Sequence, residues 1–359
     1  MHMADALLSP EVGGVMWVAT AGAIAFSAQK LKKQADPGKI PLMGVMGAFI
    51  FAAQMINFAI PGTGSSGHIG GGMILVMLLG PSAGFLTIAS VLIVQAVFFA
   101  DGGLLALGCN IFNMGVIPCF LTFPLIYKKF KDNKPYSLRS MAAIMAAVII
   151  ALQLGAFSVV LETVFSGVSG VGFYDFLLLM QPIHLAIGVV EGLITIAVIN
   201  FLAKARPDLI EQGPARQNEQ SAAVTAPTTK KIRTRIIIAI VLGMALLTAG
   251  IVSWFASSDP DGLEWAFFHT TGKEEPSQPQ DDLHRSLQAI QETTAVLPDY
   301  NFKNREGTTA HGETAEPATV HSSNNGTSLA GIVGSLLTLV LITSAALLLK
   351  IIRKPRTRK

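Results

Sequence analysis

Gly71-Gly72-Met73-Ile74-Leu75-Val76-Met77-Leu78-Leu79-Gly80-Pro81 is an apolar run too short to cross a bilayer alone. A spanning helix needs roughly 20 residues. The run ends on Gly80-Pro81, and a second apolar run, 84–100, begins almost at once. The two read together as a broken or re-entrant pair, a form allowed at membrane depth only where protein covers the freed backbone groups. Further apolar runs lie at 12–29, 40–60, 105–127, 140–163, 181–203, 236–255 and 328–350. The expected fold is all-α: a polytopic helical membrane protein with about nine membrane segments, one pair of them broken. Composition agrees, since 51% of the 359 residues are hydrophobic and 14% charged, against about 25% charged in soluble domains.

Basic residues orient the chain. They cluster at Lys30/Lys32/Lys33/Lys39, at Lys128/Lys129/Lys131/Lys134/Arg139, from Lys204 to Arg235, and from Lys350 to Lys359. Flanking Lys and Arg stay cytoplasmic. The N-terminus, the loop with His68, the Asp101-Gly102-Gly103 loop and residues 256–327 then face outward, and the C-terminus lies in the cytoplasm. The first helix lacks a positive n-region and is expected to be retained. Localisation in the cell (inner) membrane, multi-pass, follows.

Residues 1–203 read as a compact helical domain. Residues 204–235, with Pro207, Gly213 and Pro214, read as a cytoplasmic linker across which few packed contacts should pass. Residues 236–359 read as a helical hairpin carrying a polar outer insert, 256–327. The insert's Gln, Glu, Thr, Ser and Asn predict poor order. Within it, Leu283, Leu287 and Ile290 mark a short amphipathic helix over 282–297, and His269, His284, His311 and His321 read as solvated linker positions, with metal scavenging as the alternative.

The chemistry starts at the N-terminus. A bulky His2 is expected to keep the initiator Met in place, leaving a free amine. The Met1 amine, the His2 amide nitrogen and the His2 imidazole close two fused chelate rings, and His68 is placed to supply a fourth nitrogen. Four nitrogens in a plane suit Ni(II) or Cu(II) better than zinc or magnesium. The loop from Pro61 to Gly72 contains a literal G-x-G-x-x-G, but no strand precedes it and no acidic residue follows at the right distance, so it is not a nucleotide loop. Its glycines are expected to let the N-terminal peptide lie close.

Other polar residues sit in apolar surroundings. Asn110 and Asn113 share a helix face; they either hold the N-terminal peptide, orient a ligand imidazole, or simply pack between helices. His184 and Glu191 share a face of the seventh segment, lining a metal route or forming a buried pair. Gly44, Ala48 and Ala52 form a small-residue stripe suited to close helix contact, with another subunit or within the chain. Cys109 and Cys119, ten residues apart on one helix, are separated by roughly 15 Å, too far for a disulfide.

Together these residues are similar to the nickel/cobalt substrate-binding component of energy-coupling-factor transporters, the NikM/CbiM family. The resemblance covers about 1–203 and rests on Met1-His2 with Leu8-Ser9-Pro10, the glycine-rich loop with His68, Asp101 to Gly115, and His184-x-x-Ile187-Gly188-x-x-Glu191-Gly192. It implies Met1, His2 and His68 as metal ligands. Met3-Ala4-Asp5-Ala6 departs from the family's usual stretch there. Asp259-Pro260-Asp261-Gly262-Leu263-Glu264-Trp265 resembles the PDGLE segment of a NikN-like accessory component, here fused behind the main one. The resemblance implies no catalysis and no cofactor beyond the transported Ni(II) or Co(II). Its implied partners are a transmembrane coupling subunit and cytoplasmic ATPase subunits, with the lipid bilayer as surroundings and no nucleic acid. The chain itself lacks a G-x-x-x-x-G-K-[ST] loop. A membrane metalloenzyme is the weaker reading, because H-E-x-x-H is absent and only Glu191 is read as deep in a span; an autonomous proton-coupled transporter would want several such acids.

Overall fold

The computed structural model describes residues 2–34, 39–134, 136–205, 234–274, 276, 279, 281–302 and 324–351. The helices are α1 (Pro10–Gln34), α2 (Lys39–Gln54), α3 (Gly72–Leu79), α4 (Pro81–Phe99), α5 (Leu107–Phe130), α6 (Leu138–Ser166), α7 (Phe173–Ala205), α8 (Thr234–Gly250), α9 (Gly262–Thr271), α10 (Asp282–Thr294) and α11 (Asn324–Ile351). Six of them, α1, α4, α5, α6, α7 and α11, are long and apolar enough to cross a bilayer. α2 and the apolar part of α8 are shorter, and α3 has 8 residues.

The Gly80-Pro81 break forms where the sequence predicts it. Gly80 has φ 83° and donates its N–H to Val76 O at 2.9 Å, closing α3, while Pro81 opens α4. Ile74, Leu75 and Val76 are fully buried, so protein rather than lipid covers the short helix. The pair folds back tightly because Gly84 has no side chain: a Cβ there would lie 2.8 Å from Val76 N and Cα. Gly84→Ala is therefore expected to wedge the two helices apart and lower stability by about 1–3 kcal/mol, read as a fall in the melting temperature of the purified protein.

Two features differ from expectation. The glycine-rich loop contains a small antiparallel hairpin, β1 (Phe58–Ile60) and β2 (Ser65–Gly67), paired Phe58 with Gly67 and Ile60 with Ser65. In α5, residues Phe112–Tyr127 wind as a π-helix, with α turns Leu107–Ile111 and Lys128–Phe130 at its ends. Pro118 and Pro124 lie inside it; each lacks the N–H that an α ladder would require.

The small-residue stripe is used within the chain. A Cβ on Gly44 would meet Thr343 Oγ1 at 2.7 Å, and Ser335 Oγ donates to Ala48 O, so this face lies against α11. Ala52 clusters with Ala245 and Ala249 of α8. Many packed contacts thus join α2 to the hairpin helices, contrary to the expectation that few would; the small residues of α2 need a partner helix, and α8 and α11 supply it. Most of the linker, 206–233, lies outside the described residues.

The insert also departs from its polar composition. Asp261 and Asp281 cap α9 and α10, Asp261 in a full capping box with Glu264. Its polar side chains and backbone bond to carbonyls of the first domain: Gln291 Nε2 to Ala96 O and Gly102 O, Val296 N–H to Phe98 O. In the described part of the insert, 256–274 and 281–302, docking rather than a core of its own orders the chain. His311 and His321 fall outside the described residues.

Candidate metal centre

The N-terminal peptide is held from three sides. Met3 is fully buried; its N–H donates to Asn110 Oδ1 at 2.8 Å, and its carbonyl accepts from Asn110 Nδ2 at 3.3 Å and Gly103 N at 3.0 Å. Two residues on, Asp5 Oδ1 accepts from Ala106 N at 2.8 Å. Gly103 is required beside it, because any Cβ would collide with the Asp5 side chain. The third side is His284 of α10, whose Nε2 lies 3.1 Å from both Asp5 O and Leu8 O. Carbonyls only accept, so Nε2 donates; Nδ1 lies 2.6 Å from Asp281 Oδ2. His284 is buried, not solvated as its sequence surroundings suggest.

This peptide puts His2 beside His68. Their rings stack with centroids 5.0 Å apart and planes 26° apart. A relay of amides sets the protonation of His2. Gly70 O can only accept, so it fixes Gln54 Nε2 as its donor at 2.9 Å. Gln54 Oε1 then accepts from Gln95 Nε2 at 2.9 Å. Gln95 Oε1 is left facing His2 Nε2 at 3.3 Å. The proton therefore belongs on Nε2, and Nδ1, the nitrogen that closes a ring with the His2 amide, keeps its lone pair. Asp101 Oδ1 is 3.6 Å from Nδ1, too long for a hydrogen bond, while Asp101 Oδ2 accepts from the Tyr300 hydroxyl. His68 is set similarly: Nδ1 donates to Ile69 O at 3.0 Å, leaving the lone pair on Nε2.

Glu191 anchors the His68 loop. Its two carboxylate oxygens accept from Gly70 N at 2.7 Å and Gly71 N at 2.9 Å. Asn113, although on the face of Asn110, does not reach the peptide; its Nδ2 donates to Glu162 Oε2 at 2.9 Å, and Ser158 Oγ donates to Oε1. Glu162, buried in α6, corrects the reading that only Glu191 is a deep acid. His184 is buried, with Nδ1 donating to Met180 O at 2.8 Å. Cys109 and Cys119 are free and buried. Met1 lies outside the described residues. Among the described residues no three His, Cys, Asp or Glu side chains converge as a metal site. Gln54, Gln95 and Glu162 are the polar residues that sequence reasoning missed, and His284 is the one it misread. The first three could have been found by the rule that flags polar side chains in apolar segments.

Burial pushes the His68 imidazole down to about 3 and lowers that of His2 from its ordinary value. A lowered value keeps the ring neutral, so protons compete with metal for His68 only when pH falls toward 3. The amine, ordinarily near 7.7–8.0, and the amide proton remain as competitors. Between about pH 6.5 and 5 the two lowered imidazoles are therefore expected to make any metal affinity fall less steeply with falling pH than two ordinary histidines would. Competition titrations with a chelator across that range measure the slope.

Comparison with known proteins places the chain. The CbiM model, described as cobalt uptake substrate-specific transmembrane region, matches residues 2–209, and the PDGLE domain model matches residues 233–351. A protein of Haloquadratum walsbyi, provisionally named a metal transport protein, is 36% identical over 213 residues, 58% of this chain and 93% of its own. A provisionally named fused nickel transport protein of Archaeoglobus fulgidus is 37% identical over 226 residues, 63% of this chain and 73% of its own. The crystal structure of a truncated transition metal transporter superposes with a TM-score of 0.50 at 31% identity, over 57% of this chain and 99% of that one.

Proposed function

The chain belongs to the CbiM family, with a PDGLE domain fused behind it in a multi-pass membrane protein, and we propose that it captures a divalent transition metal at the outer membrane face and takes it up, nickel first and cobalt next. It acts as the substrate-specific component of an energy-coupling-factor transporter. A transmembrane coupling subunit and cytoplasmic ATPases are its partners; they hydrolyse ATP, and this chain does no catalysis. The ligands are the Met1 amine, the His2 amide and Nδ1, and His68 Nε2, with Asn110, Gln95, Gln54 and Glu191 as the residues that place them.

The observation that supports this reading best is the amide relay. A side chain that merely filled space would not need its tautomer fixed through Gln95 and Gln54 back to Gly70, the same loop that carries His68. Orientation of a ligand imidazole by its other nitrogen is the usual arrangement around bound metals. Nickel is favoured because planar nitrogen donors suit a square-planar ion. In the same reading nine segments cross or enter the membrane, the N-terminus lies outside and the C-terminus inside. The metal-binding domain is 1–203, the linker 204–235 and the accessory hairpin 236–359.

His2→Ala and His68→Ala are each expected to remove most nickel binding by the purified protein and most accumulation by cells that also express the partner subunits, while His311→Ala leaves both unchanged. Normal binding by His68→Ala overturns the four-nitrogen site; accumulation without the partners overturns the coupling.

A further inference from the structure

Beside His68 lies a small cavity. Its wall includes His68 and Gly70 from the loop, Met114 from α5, His184 from α7, and Asp261 and Gly262 at the start of α9. It has room for about one water molecule, which is also the room a bare divalent cation needs.

His184 is the feature that calls for an occupant. Its Nδ1 is committed as a donor to Met180 O, so Nε2 carries a lone pair. That nitrogen has no hydrogen-bond partner, although the residue is only 1% exposed. Folded proteins seldom leave a buried polar atom so. His68, across the same cavity, has its tautomer fixed in the same way, by a backbone carbonyl on Nδ1. Two imidazoles, each with its other nitrogen tied to a carbonyl, is how proteins present histidine to a metal. Gly262 keeps the imidazole edge open: a Cβ there would lie 3.5 Å from His184 Cε1 and 2.5 Å from Ile183 Cγ2. Asp261 brings negative charge to the wall while its Oδ1 caps α9.

We propose that this cavity is a second metal position, occupied in alternation with the N-terminal chelate because His68 Nε2 has one lone pair, in which His184 Nε2 and His68 Nε2 hold a borderline divalent ion such as Ni(II) or Co(II). It rests on the reading of Met1, His2 and His68 as the first site, because the two positions share His68. Imidazole donors select this class of ion over magnesium or calcium. With no third His, Cys, Asp or Glu ligand converging among the described residues, the position is weak and exchangeable. Such a position suits an ion entering or leaving the tight chelate, with His68 turning between the two.

The experiment is equilibrium dialysis of the full chain, native N-terminus intact, against Ni(II) alone, with bound metal counted by mass spectrometry. The wild type is expected to take up one tight equivalent, and His2→Ala, which lacks the chelate, one equivalent bound at least a hundredfold more weakly. Adding His184→Leu to His2→Ala weakens that equivalent by a further tenfold or more, whereas His184→Leu alone keeps the tight equivalent, which shows that the substitution leaves the protein folded. X-ray absorption at the nickel edge on nickel-loaded His2→Ala should show two imidazoles. A His2→Ala protein with no weaker equivalent overturns the proposal and leaves the cavity to a structural water; so does a double variant that binds as well as His2→Ala. Failure of the first-site reading looks different: His2→Ala would then retain the tight equivalent.

Discussion

Acetylation of the N-terminus, or its extension by two or more residues, is expected to abolish tight nickel binding while leaving the protein folded. An acylated nitrogen has no basic lone pair. A four-donor site worth about 10–16 kcal/mol divides into roughly 3–4 kcal/mol for each donor, or about 10²–10³ in affinity for the amine alone. The chain cannot compensate by sliding, because Met3 is tied to Asn110 and Gly103, and Asp5 to Ala106. The length of the extension matters. One added residue would make His2 third from a new amine, and the amine, two amides and imidazole would then form a four-nitrogen chelate without His68. Isothermal titration with nickel on native, acetylated and extended forms, each checked for an unchanged melting profile, makes the comparison. Full affinity in the acetylated form would remove Met1 from the site.

Glu191→Ala is the second large effect. The wild-type carboxylate satisfies two buried N–H groups of the His68 loop. Leaving each unpaired costs about 1–3 kcal/mol, so roughly 2–6 kcal/mol opposes the metal-binding position of the loop. Since 1.4 kcal/mol is tenfold, nickel affinity should fall by about thirtyfold or more. Glu191→Gln should lie between, because its amide oxygen can accept from one N–H while its NH2 faces the other. Nickel titration of both variants tests the order; equal affinity in all three proteins would show that the carboxylate does not position His68.

Both effects were only half visible in the sequence. Glu191 stands out as an acid in an apolar run, and His2 and His68 stand out by residue type; what Glu191 does is invisible, because its partners are backbone N–H groups 120 and 121 residues away in the chain. The Gly80-Pro81 break was legible because glycine and proline act on their own backbone. Helix type in α5 was not, since hydrophobic periodicity over 105–127 reads the same for an α-helix and a wider one. Asn110 and Asn113 look equivalent by spacing, yet one meets a peptide and the other a glutamate; neighbours from other helices decide that. The described part of the insert, 256–274 and 281–302, was misjudged for a related reason. Composition measures whether a segment can build a core of its own, and this one is ordered by docking on carbonyls of another domain.

That docking has a thermodynamic corollary. The stretch from Asp281 to Tyr300 and the peptide from Met3 to Leu8 meet at His284, and Tyr300 reaches the Asp101 loop beside His2. Whatever factor the docked stretch adds to retention of an ion, the ion must add to docking of the stretch, since coupling between two sites is reciprocal. Occupancy of a concealed position would thereby be transcribed into order of the docked stretch. A partner that bound only the docked stretch would distinguish laden from empty carriers without touching the cargo.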